Sequence, residues 1–197
     1  MANPFCAPEI DDLDLLNRLP QEIVATLQRR NGFFLADGAF HMRGACQEPK
    51  WHSLRAAWEG DLAFHRLYPE IKEIDIPLAE DCFGDQFLLR DGSVIRLFAE
   101  TGEIEPLNLS WSEFLTGVES GPGEFLDLRL PDRFRQAFGN LQPGFQIHVY
   151  PPFVAQQCIN PSMRPIPAME LKAYQAELAR QIRGIGDGQL IKITVHP

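Results

Sequence analysis

Three carboxylates crowd one short stretch of this chain. Glu80, Asp81 and Asp85 flank Cys82-Phe83-Gly84. Carboxylates this close can split their pKa values and do acid–base work. They can also bind calcium, but an EF-hand needs a run of oxygen ligands closed by a glutamate at set spacing, and that is absent. The plainer reading is a solvated turn at a strand's edge. Beyond that, the turn is an acidic rim for a partner. Asp91 and Glu103, on two later turns, belong to the same set, so the candidate partner-binding residues are Glu80, Asp81, Asp85, Asp91 and Glu103.

Other chemistry is weaker. His41, Cys46 and His52 are the densest group of potential metal ligands. A structural zinc site takes four ligands, usually in closely spaced pairs, and no fourth is near. No metal or other cofactor is expected. No Gly-x-Ser-x-Gly elbow surrounds a serine, and no local context marks a reactive cysteine. A Cys–His pair from Cys46 or Cys82 with His41 or His65 would have to assemble in space. Gly184-Ile185-Gly186-Asp187-Gly188 follows a helical stretch and precedes a strand-like one, the reverse of a nucleotide-binding loop. Trp51, Trp58 and Trp111 read as core side chains. Catalytic residues are expected to be none.

The elements that would position these residues follow from periodicity. A short helical turn covers the leucines after Asp11 and Asp12, and a helix covers 20–30, stopped by Asn31-Gly32. Leu54, Trp58 and Leu62 recur every four residues as one helical stripe behind a Ser53 cap, ended by Tyr68-Pro69. Three β-capable runs (86–89, 94–98 and 104–107) are joined by Asp91-Gly92 and Thr101-Gly102, which predicts an antiparallel meander with one buried face. Ser110 and Glu113 form a capping box for the next helix. Ser120-Gly121-Pro122-Gly123 reads as a loop, 132–138 as a helix and 145–150 as a strand. The proline-rich 151–167 reads as irregular, 169–183 as a helix and 190–195 as a last strand.

The 197 residues suffice for one sizeable core, or for a domain of 1–118 with a 119–197 extension. The 27 acidic against 18 basic residues give a net charge of -9, which argues against nucleic acid and mildly favours a basic protein partner. The opening residues lack a basic segment followed by an apolar one, and no apolar run could span a bilayer, so a cytoplasmic protein is expected. The four cysteines are far apart and read as small buried hydrophobes.

Leu19-Pro20, the helix that follows, and Asn31-Gly32 with its aromatic residues resemble the opening of SUKH-superfamily (Smi/Knr-like) domains. Residues 76–87, containing Gly84-Asp85 ahead of the meander, are similar to that family's central segment. Thr101-Gly102-Glu103 and Ser112-Glu113-Phe114-Leu115 fit its close. The resemblance covers roughly residues 15–118. It implies an α+β fold with a mostly antiparallel sheet wrapped by helices. It also implies an immunity protein that binds and neutralises a toxin domain, as a monomer or homodimer. The alternatives are a regulatory scaffold with an endogenous partner and a small enzyme using acids near the meander.

Overall fold

A computed structural model describes residues 5–155, 160–186 and 188–189. Its centre is a six-stranded antiparallel meander in sequence order: β1 (Phe33–Leu35), β2 (Phe40–Met42), β3 (Ile76–Asp81), β4 (Gln86–Arg90), β5 (Ser93–Leu97) and β6 (Ile104–Pro106). The fold class is therefore α+β with a mostly antiparallel sheet wrapped by helices. Asp91 and Gly92 both take positive φ in the β4–β5 turn, the backbone that a tight hairpin requires.

One face of the sheet carries the main core. Phe40, Met42, Phe87, Leu89 and Val94 meet Leu15 and Leu16 of α1 (Leu13–Arg18), and Ile23 and Leu27 of α2 (Gln21–Arg29). Trp111, Phe114 and Val118 of α5 (Trp111–Ser120) complete it. The α5 N-terminus carries the reciprocal Ser110–Glu113 capping box read from the sequence. The single helix expected after Ser53 is two: α3 (Leu54–Trp58) and α4 (Phe64–Leu67). They part around Gly60, the residue type least suited to a helix interior after proline.

The C-terminal part lies against the meander. After α5 come α6 (Pro122–Leu126) and α7 (Asp132–Phe138). Then β7 (Phe145–Tyr150) pairs with β8 (Ser162–Pro167), and α8 (Ala168–Ile182) follows. The β7 backbone docks on the β3–β4 turn, where Ile147 N–H donates to Cys82 O at 2.7 Å. On the second face of the sheet, α8 buries Ala176 and Ala179 in a cluster with Leu88, Ile95, Leu97, Phe64 and Tyr68.

Several expectations need correction. The stretch expected to be irregular contains β8, with Pro165 opposite Ile147. A two-stranded sheet has only edges, so a missing N–H can face outward without breaking the ladder. Strand β3 runs through Pro77, where the register shifts between Pro77 and Ala79, so the proline sits at an irregularity. The segment read as a loop at Gly121 opens α6, with Pro122 as first helical residue. Cys46 and Cys82 are buried, but Cys6 is exposed. Cys158 and the expected strand 190–195 lie outside the described residues. Among the described residues, no helix is long and apolar enough to cross a membrane.

Candidate functional site

Cross-strand pairing threads one row over all six strands: Phe34, His41, Glu80, Gln86, Leu97 and Ile104. Directly opposed side chains in a sheet lie within contact distance, so this register alone sets His41, Glu80 and Gln86 side by side. All three are buried. His41 Nδ1 lies 2.9 Å from Glu80 Oε1. Arg43, just past β2, pairs with Glu80 Oε2 and donates to Gln86 Oε1 at 2.7 Å and to Pro77 O at 3.0 Å. His41 Nε2 sits 2.8 Å from His52 Nδ1, and His52 Nε2 sits 3.0 Å from Asn31 O.

Burial alone would push Glu80 up. The Arg43 guanidinium and the His41 and Gln86 hydrogen bonds outweigh it and hold the carboxyl at about 2. Burial lowers both imidazoles, His52 to about 3. The chain Glu80–His41–His52–Asn31 O has an acceptor at each end and three links, which need three protons. Two neutral imidazoles carry only two. The chain therefore holds one proton in excess or leaves one link unformed. The two small cavities along this network measure about 10 Å³ each, room for no more than one water.

Over the same network, α8 lays Lys172, its amine 3.8 Å from the Phe64 ring centroid. Burial, with Arg43 adding to it, pushes this lysine down to about 7. Its folded pKa lies below its unfolded one, so stability rises with pH between the two. Lys172→Met removes the penalty of burying that charge. At pH 6 the variant is expected to be more stable than the parent by about 1–2 kcal/mol. The gap should close as pH rises to 9, as read by urea denaturation at each pH.

The expected solvated acidic rim is corrected by burial. Glu80 and Asp81 are interior, and Asp85 is mostly covered. Asp81 Oδ1 accepts from the N–H groups of Phe83 (2.9 Å) and Asp85 (3.0 Å), which shapes the turn. Arg96 bridges Asp81 (3.2 Å) and Asp85 (2.7 Å), and Asp85 Oδ1 accepts from Ala99 N–H at 2.9 Å. Burial and the neighbouring Asp85 carboxylate push Asp81 up to about 8. Burial raises Asp85 as well, with Arg96 opposing. Asp91 and Glu103 are exposed, but successive meander turns alternate between the two ends of the sheet. Asp91 is therefore at the opposite end from Asp85 and Glu103, and the five acids form no single patch.

What gathers at the Asp85 end is a cavity of about 230 Å³, between the meander turns, β7 and α8. Phe98, Phe153 and Tyr174 line it together with Arg96, Glu100 and His148. Glu100 Oε2 accepts from Val154 N–H at 3.0 Å, and burial raises its pKa. Burial, with Arg164 adding to it, lowers His148. Glu100 and His148 were not singled out in the sequence. The only hint was that Glu100 adjoins the Thr101-Gly102 turn, and His148 reaches the cavity only because β7 docks there. Tyr174 was visible only as a residue of the expected 169–183 helix. Among the described residues, no group of three or more His, Cys, Asp or Glu side chains is arranged to hold a metal ion.

No family model matches the sequence, and no curated protein matches it. The crystal structure of Atu4351 from Agrobacterium tumefaciens is similar, with a TM-score of 0.54 and 18% identity. The match covers 88% of this chain and 82% of that one. At this identity the similarity shows a shared fold and nothing about activity.

Proposed function

We propose that this chain is a cytoplasmic protein-binding module of the immunity type, which neutralises a toxin domain by covering it and performs no reaction of its own. The observation that carries the reading is a group of exposed apolar side chains on the segment where β7 ends. Tyr150 is 65% exposed, Phe153 50% and Val154 39%. Exposed aromatic side chains grouped beside a cavity are what a binding surface uses as anchors. The resemblance of residues 15–118 to SUKH domains and the net charge of -9 support the same reading. The internal ties of Asp81 and Asp85 to Arg96 and backbone N–H groups favour a structural over a catalytic role for these acids.

The test is co-purification of the tagged chain from its host, followed by co-expression with the captured protein. One stoichiometric partner should be recovered, toxic to cells when expressed alone and harmless with this chain. The double variant Tyr150→Ala, Phe153→Ala should weaken capture by tenfold or more, since aromatic anchors at interface centres commonly carry 2 kcal/mol or more, roughly thirtyfold. Capture of housekeeping proteins without a growth phenotype would replace this reading with the regulatory scaffold. Capture of nothing would sink both.

A further inference from the structure

We infer that the cavity between the meander turns and α8 is a receptor for an arginine side chain presented by the partner protein, with Glu100 as counter-ion and Phe98, Phe153 and Tyr174 as walls. This rests on the protein-binding reading and names what that surface grips.

The charge balance comes first. The one cation among the cavity's lining residues is Arg96, and its guanidinium is already engaged by Asp81 and Asp85. Glu100 takes backbone N–H groups from Val154 and Phe153, but no lysine, arginine or histidine among the described residues pairs with it. His148 adds no positive charge at neutral pH, because burial and Arg164 lower its pKa. The cavity is therefore negative, and a half-buried carboxylate without a counter-ion gains from a ligand that brings one.

The walls select the kind of cation. Phe98 already carries the Arg96 guanidinium 4.7 Å from its ring centroid, so this part of the structure accommodates a guanidinium on an aromatic face. Phe153 is held edge-on against Phe83 at 5.2 Å, and Tyr174 against His148 at 5.0 Å, which fixes both rings. A planar, weakly hydrated guanidinium can stack on such rings while forking onto a carboxylate. An ammonium lacks that geometry. Size points the same way: about 230 Å³ is below the range of drug-sized ligand sites, roughly 300–1,000 Å³, and suits one long side chain. The source is a protein because the exposed Tyr150 and Val154 flank the cavity and would cover the chain around the inserted arginine. The net charge of -9 would speed the approach of a basic partner.

The experiment titrates N-acetyl-arginine methylamide into the isotope-labelled full chain and follows backbone amide NMR shifts. The uncharged citrulline analogue and the lysine analogue serve as comparisons. Saturable shifts are expected at Glu100, Phe153 and Val154, weaker ones with lysine and none with citrulline. Glu100→Gln keeps an oxygen to accept the Val154 N–H, so it should fold with an unchanged thermal midpoint yet bind the arginine probe tenfold or more weakly. Absence of saturable shifts, equal binding of citrulline, or an unaffected Glu100→Gln would each overturn the inference. If the captured partner ignores Glu100→Gln but is lost with the Tyr150→Ala, Phe153→Ala pair, the arginine receptor falls and the protein-binding reading stands. If the probe binds but no protein is captured, the protein source of the cation falls.

Discussion

Glu80→Ala is expected to lower the unfolding free energy by about 3–5 kcal/mol, read as a fall in the urea midpoint at unchanged slope. The reason is what it leaves behind. Arg43 is as buried as Glu80 and cannot be deprotonated, so removal of its carboxylate strands a charge in the interior. The His41 link is lost in the same step. Glu80→Gln separates the two effects. Its amide can donate to His41 Nδ1 and so supply the third proton that the Glu80–His41–His52–Asn31 chain requires, while Arg43 still lacks a counter-charge. The glutamine variant should therefore be destabilised less than the alanine one, and because its amide oxygen also keeps accepting from Arg43 and Gln86, the difference between them measures those links together with the His41 one. Equal losses would mean that none of these links contributes.

The acid limb carries a matching signature. The folded pKa of Glu80 is held at about 2, below its ordinary value near 4.5. The stability from its ionised form is present above the unfolded pKa and is lost as pH falls from about 4.5 towards 2. Glu80→Gln should flatten this part of the pH–stability curve relative to the parent.

Gly32→Ala is expected to destabilise by about 2–4 kcal/mol, comparable to the loss of a core side chain, although it adds only one methyl group. Gly32 takes a φ of +76°, which is strained for any residue with a Cβ. An added Cβ would also come within 2.7 Å of the Met42 carbonyl oxygen, a backbone atom that cannot swing away, and would press on the His52 ring. Gly44 approaches the same ring, where a Cβ would meet His52 Nε2 at 2.7 Å and Asn31 O at 2.7 Å. His52 thus lies in a slot made by two glycines, and its place between Asn31 and His41 depends on both. Calorimetric melting of Gly32→Ala, with Gly123→Ala in α6 as the control, checks this. No methyl group at Gly123 would touch anything. A loss at Gly32 no larger than that at Gly123 would contradict the slot.

Much of the meander was legible because its signals are local. Asp91-Gly92 needs a backbone that few other pairs adopt, and the alternating runs around it need only their own neighbours to be read. The Ser110–Glu113 capping box and the 132–138 helix are local in the same sense. β8 was illegible because prolines are read as strand breakers, while their cost depends on whether the N–H would have faced a partner. The long β3 was hidden because Pro77 sits at a register shift that only its pairing with β4 creates.

The candidate site divides along the same line. By itself the sequence determined the α+β class, the turns that place the acids and the negative charge. Local geometry and composition are properties of short segments, so they survive without a fold. Only the tertiary structure decided that Glu80 faces Arg43 rather than water, and that Asp81 and Asp85 share Arg96. It alone brought Glu100, Phe153 and Tyr174, from three distant segments, around one cavity. Burial and counter-charge are set by what lies across the sheet and under α8, and no spacing along the chain encodes which residues those are.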